Sequence, residues 1–165
     1  MLLDIAASAE QQLRRSHYII GVFSAVEKNA VGNAGTIGIT TNELTLKGGA
    51  QLVASSFGEG NAGTITIQAT DKFLVNEINS NGSPTGVFAE SRTGRGGNIG
   101  LQIENLLMLR YQSLISATSG VAGNNGLDGN IDIDTKFLVA VPSENSDIIA
   151  NGFGRTPGSN IQVNA

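Results

Sequence analysis

The octapeptide GNAGTIGI at Gly32 to Ile39 returns as GNAGTITI at Gly60 to Ile67, identical at seven of eight positions. It degenerates but persists as GRGGNIGL from Gly94, GLDGNIDI from Gly126 and TPGSNIQV from Thr156. The leading isoleucines of the five copies are Ile37, Ile65, Ile99, Ile131 and Ile161, spaced by 28, 34, 32 and 30 residues. A period in this range marks a repeat architecture, in which each unit buries its apolar side only against its neighbours. The uneven spacing points to insertions in loops.

Within each copy, apolar and polar residues alternate, as in Ile37 and Ile39, Ile65 and Ile67, Ile99, Leu101 and Ile103, Ile131 and Ile133, and Ile161 and Val163. Period two means a strand with one buried face. A second apolar run follows at Leu44 and Leu46, Phe73 to Val75, Leu106 to Leu109 and Phe137 to Val141, its register open by one residue. A third comes at Leu52 to Ala54, Val87 to Ala89, Leu114 to Ala117 and Ile148 to Ala150, and Val22 to Ala25 looks like the same element of an earlier turn.

Short strands separated by Gly, Asn and Ser corners enclose a core when successive repeats coil and stack in parallel register. The expected fold is therefore all-β: a right-handed parallel β-helix of about five turns with three short strands per turn, spanning residues 19–165. An antiparallel sandwich also has short alternating strands, but it does not require one octapeptide to return every turn. Asn33, Asn61, Asn98, Asn130 and Asn160 beside the corner glycines suggest left-handed bends and stacked amide hydrogen bonds.

Residues 1–18 read differently. Leu2, Ile5, Ala6, Ala9 and Leu13 fall on one helical face, with Asp4 early, Arg14 and Arg15 late, and Glu10 four residues before Arg14. A short amphipathic helix is expected, either covering the first turn or standing as a frayed leader or the remnant of a longer gene. The first fifteen residues hold no apolar run long enough for a signal peptide or a membrane span.

With 22 glycines, 3 prolines, no cysteine and 15% charged residues, the chain is poor in the side chains that surface helices use. The net charge of −4 and the scattered basic residues disfavour nucleic acid as a partner. Absence of cysteine excludes disulfides and thiolate metal sites and leaves the compartment open.

The units GNAGTITIQATDKFLV, GVFAESRTGRGGNIGL, LISATSG and ENSDIIANGFGR resemble the repeats of filamentous-haemagglutinin-like exoproteins, particularly large cyanobacterial members of two-partner secretion. The resemblance covers roughly Gly21 to Ala165. It implies a right-handed β-helix, export through an outer-membrane β-barrel transporter, and a secreted or cell-surface location. The chain departs from the family pattern in lacking a signal peptide and the amino-terminal secretion domain, which fits a piece of a larger exoprotein or a split or decayed gene product.

β-helices also include polysaccharide lyases and hydrolases. Asp132 and Asp134 are the best acidic pair, two apart on a strand whose Ile131 and Ile133 point inward, so both lie on the outer face. A solvated face with acidic gatekeepers is the bland alternative. In GNNGLDGNIDID, Asp128, Asp132 and Asp134 are candidate calcium ligands, although cage-forming repeats of this type need consecutive nonapeptides and here there is one. Arg92 and Arg95 are candidate contacts for an anionic polysaccharide or lipid head group. The only histidine, His17, has no triad partners around it in sequence. The glycines at 94, 96 and 97 precede a strand, whereas phosphate-cradling loops lead into a helix.

The expected function is a non-enzymatic structural or adhesive segment of a surface-exposed exoprotein, with no cofactor. Its expected partners are a cell-surface glycan or matrix, the β-barrel transporter where the chain is exported, and further copies by end-to-end self-association. The alternatives are a carbohydrate-active β-helix enzyme and a functionless remnant.

Overall fold

The computed structural model describes residues 2–6, 20–120, 129–153 and 159–165. Among these residues, eleven strands form two parallel sheets. The long sheet runs β1 (Leu2–Ala6), β3 (Thr36–Lys47), β5 (Thr64–Asn76), β7 (Asn98–Leu109), β9 (Asn130–Ala140) and β11 (Asn160–Asn164). The short sheet stacks β2 (Gly21–Phe23), β4 (Gln51–Val53), β6 (Gly86–Phe88), β8 (Leu114–Ser116) and β10 (Asp147–Ile149) in the same direction. Each pair of long and short strands is one turn, and the chain is a parallel β-solenoid. The five expected turns resolve into four complete ones, from β3 through β10, with β1 and β2 below and β11 above as partial turns.

All three apolar runs are present, and the first two are fused. In β3 the inward residues are Ile37, Ile39 and Thr41, then Leu44 and Leu46, so the inward phase slips at a corner between Thr41 and Glu43. β3 and β9 carry a single corner residue, Asn42 or Lys136, where β5 and β7 carry two. Such bulges bend a strand and reset which side chains face inward, so one strand lines two walls of the core.

Stacking is in register. Ile37, Ile65, Ile99, Ile131 and Ile161 form one column, and Leu44, Phe73, Leu107 and Leu138 another. Across the core, the short sheet contributes Val22, Leu52, Val87, Ile115 and Ile148. The middle turns bury their members completely, while Val22 is 42% exposed at one end and Ile161 and Val163 are 41% and 43% exposed at the other.

A second stack of bridges passes through Val26, Ser56, Ser91, Ser119 and Gly152. Between it and the next long strand, Gly35, Gly63, Gly97 and Gly129 recur at successive corners. A Cβ on Gly63 would lie 1.8 Å from the carbonyl oxygen of Gly35, and one on Gly97 would lie 2.0 Å from that of Gly63. Backbone rests directly on backbone here, which is the steric reason the octapeptide repeats its glycine.

The asparagines divide. Asn33 Oδ1 accepts from the Asn61 backbone N–H at 2.9 Å, and Asn61 Oδ1 accepts from that of Arg95 at 2.9 Å, a corner amide ladder as expected. Asn98 and Asn130 are joined by an amide bond of 3.1 Å at strand starts. None of the five adopts a left-handed backbone; among the described residues positive φ falls to Asn29, Glu77, Tyr111, Gln112 and Asn145 and to glycines that include Gly48, Gly49, Gly82, Gly120 and the corner Gly60 beside Asn61.

The helix expected over residues 1–18 is corrected over its first part. Leu2–Ala6 is a strand, paired in parallel with Glu43–Lys47. An open sheet edge offers a row of backbone partners, and a short amphipathic pattern, marginal as a helix on its own, yields to it over these residues. Residues 7–18 lie outside the described residues, and with them the expected boundary between helix and repeats.

Candidate binding groove

The corner that bends the long strands makes their outer side concave. Register places Thr40, Gln68, Gln102, Asp134 and Asn164 in one outward column along this hollow. The Thr40 hydroxyl donates to Gln68 Oε1 at 3.4 Å, and Gln68 Nε2 donates to Gln102 Oε1 at 2.8 Å. A second row stands on the corner residues: the Thr70 hydroxyl donates to Asn42 Oδ1 at 2.7 Å, Asn105 Nδ2 to Asp71 Oδ1 at 3.1 Å, and Lys136 Nζ to Asn105 Oδ1 at 3.0 Å. Lys72 pairs with Glu43 at 3.0 Å on the far side of the corner.

Between the rows lies a groove of about 880 Å³, lined by Thr40, Gln68, Thr70, Gln102, Glu104, Asp134, Lys136 and Asn164 over a floor that includes Ala69 and Ile103. Its polar surface is mostly amide and hydroxyl, with two carboxylates and one ammonium. Such a wall both donates and accepts hydrogen bonds at regular spacing.

Asp132 and Asp134 share the exposed outer face, as expected. They part in role: Asp134 lines the groove and Asp132 does not. The register neighbours of Asp132 are Gly100 and Gln162, and those of Asp134 are Gln102 and Asn164, so no carboxylate stacks directly on either. The acid that shares the groove with Asp134 is Glu104, which sequence reasoning did not single out. Asp128 and His17 lie outside the described residues. Among the described residues no three His, Cys, Asp or Glu side chains come together to hold a metal.

Arg92 and Arg95 are exposed on a corner loop away from the groove, which neither lines. Their backbone groups hold the turn, with the Arg92 N–H donating to the Ser56 carbonyl at 3.0 Å and the Arg95 carbonyl accepting from Ala62 at 2.9 Å.

Two acidic groups outside the groove have shifted titrations. Glu144 receives a bidentate pair from Arg110, Nε and Nη2 each at 2.6 Å, and the Tyr111 backbone N–H at 3.1 Å. Arg110 also lies over the Tyr111 ring, 4.7 Å from its centroid. The Arg110 hydrogen bonds hold the Glu144 carboxyl below its ordinary range, so this staple between turns strengthens the fold above the usual glutamate pKa and is lost as pH falls. Glu90 goes the other way. Burial pushes it up, and the hydroxyl of Ser116, which donates to its carboxylate, offsets this only in part.

A raised folded-state pKa means that Glu90 disfavours the fold as pH rises through the ordinary glutamate range. Glu90→Gln keeps an acceptor for Ser116 and is therefore expected to raise the melting temperature at neutral pH, with the gain vanishing below about pH 4, where both side chains are neutral. Melting curves across that range check it; an equal gain at all pH values would remove burial of charge as the cause.

No family model, curated protein or solved structure matches this chain.

Proposed function

We propose that this chain is a non-enzymatic structural and adhesive segment of a surface-exposed or secreted exoprotein, and that it contacts glycans through the groove on the long sheet. The observation that carries this reading is the column Thr40, Gln68, Gln102, Asp134, in which hydrogen-bonding side chains repeat turn after turn along one hollow. Sugar hydroxyls, which both donate and accept, match such a wall, and its near-balanced charge favours a neutral glycan over a polyanion. The likeness of the repeats to haemagglutinin-like exoproteins supports a location at or beyond the cell surface, with a β-barrel transporter as partner where the chain is exported.

The alternative, a carbohydrate-active enzyme, draws on Glu104 and Asp134 facing one groove. Against it, the groove offers two carboxylates and one lysine without the convergent set of acids and bases that a hydrolytic or lyase centre uses. The experiment is a glycan array followed by titration of the retained glycan. Gln68→Ala combined with Gln102→Ala is expected to weaken binding roughly tenfold, at about 0.5–1.5 kcal/mol per lost hydrogen bond. Unchanged binding would remove the groove from the reading, and sustained release of reducing or unsaturated ends from pectin, alginate or related polymers would replace adhesion with catalysis.

A further inference from the structure

The groove has polar edges and a partly apolar floor, and its parts recur rung by rung. On β5, Gln68 and Thr70 flank Ala69; on β7, Gln102 and Glu104 flank Ile103; on β9, Asp134 and Lys136 flank Thr135. The flanked residues are register partners, Ala69 with Ile103 and Ile103 with Thr135. The floor therefore runs along the solenoid axis and crosses the strands. One wall is tied by the ladder from Thr40 through Gln68 to Gln102, and the other is braced by the bonds of Thr70 to Asn42 and of Lys136 to Asn105.

We propose, resting on the glycan reading above, that the groove takes an extended, unbranched chain of equatorially linked pyranose rings, laid along the axis with one ring per rung. Such a chain, in which the ring hydroxyls are also equatorial, is a flat ribbon. Its hydroxyls project from two edges, and ring C–H groups cover its faces. In the groove a face lies on the floor that includes Ala69 and Ile103, and an edge meets each wall. Branches would project from the edges into the walls.

The spacing fits as well as the cross-section. Rungs recur at ~4.8 Å, close to the advance of one ring along an extended chain of this kind. Contacts made on one rung therefore recur on the next. Successive rings of the ribbon are turned over, so each wall meets opposite edges in alternation. Glutamine amides and threonine hydroxyls accommodate this because each both donates and accepts. The ladder also fixes the Gln68 and Gln102 side chains before any sugar arrives, which lowers the ordering cost of binding. Glucose joined instead through axial bonds winds into a helix and leaves a straight column after a ring or two.

Cello- and chito-oligosaccharides share the ribbon shape, whereas malto-oligosaccharides share glucose with the first and have the axial linkage. In calorimetric titrations, affinity for at least one ribbon series should rise by about two- to tenfold for each ring added from the disaccharide to the tetrasaccharide, one hydrogen bond's worth per rung. Maltose and maltotetraose should bind alike, and more weakly than the ribbon tetrasaccharide. Gln68→Ala combined with Gln102→Ala should erase most of the dependence on length. Amide chemical shifts should change together at 68–70, 102–104 and 134–136, three strands crossed at one place. Equal affinity for ribbon and malto tetrasaccharides, affinity independent of ribbon length, or shift changes strung along a single strand would overturn the proposal. So would a glycan of another shape that the array retains through the groove while neither ribbon series binds, and in that case the adhesive reading stands. An empty array together with no binding in any series removes both.

Discussion

Phe73→Ala is expected to lower the free energy of unfolding by about 3–5 kcal/mol, the usual range for deleting a buried phenyl ring. Phe73 is fully buried and sits in a column with Leu44 and Leu107 directly below and above it. Neither neighbour can move into the space, because ladder hydrogen bonds fix the rise between rungs. For a chain of this length the loss corresponds to a fall in melting temperature of roughly 6–20 °C. Chemical denaturation of the variant checks the magnitude, and Phe73→Leu, which keeps most of the volume, should lose less than about 1.5 kcal/mol. If Phe73→Ala costs no more than Phe73→Leu, the column is loosely packed and the stacked core is not the main source of stability.

Gly63→Ala is the second large effect, and its origin is opposite. A Cβ there meets the Gly35 carbonyl oxygen at 1.8 Å and the carbonyl carbons of Gly35 and Ala34 at 2.9 and 3.0 Å. All three are backbone, and the Gly35 oxygen also accepts the Thr64 N–H at 3.2 Å. One methyl group must therefore prise two rungs apart at the corner where β5 begins, for a loss of about 3 kcal/mol or more, at or above the upper end for overpacking. Gly100→Ala is the matched control: Gly100 lies within β7, and a Cβ there meets nothing within 4 Å. It should be neutral or stabilise by up to about 1 kcal/mol by restricting the unfolded chain. Amide hydrogen exchange locates the damage, with protection lost first on both sides of the Gly35 and Gly63 corners. Equal stability of the two variants would show that the rungs do not rest on each other there.

How much of this was legible beforehand depends on whether a residue's role is written in its own strand or in its neighbours'. The column from Ile37 to Ile161 was readable, because alternation within a strand and recurrence between strands agree. The second run resisted because the corner holds one residue in β3 and β9 and two in β5 and β7. No single period describes both, so the inward set slips by one. LLDIA satisfies a helical spacing and an alternating one, and the open edge of β3 decides between them, which no local pattern contains.

The groove was half visible. Asp132 and Asp134 were placed on the correct face, yet only Asp134 lines the hollow. Gln68 and Gln102 went unnoticed because an exposed glutamine has no signature until strands are stacked. A signal existed nevertheless: the residue after the second apolar position of each repeat is Thr40, Gln68, Gln102, Asp134 or Asn164, always a hydrogen-bonding side chain. Arg110 and Glu144 lie 34 residues apart, one turn removed, and pair only because the coil brings one above the other.

The register between rungs has one more consequence, for heredity. Every complete turn presents the same columns upward and downward, and differences in loop length are absorbed at the corners. A duplication or deletion of one whole repeat therefore leaves each surviving interface matched to a surface of the same design. Chain length in such a protein is a quantity that copying errors can change in units of one turn, with selection acting on reach rather than on repair of a broken core.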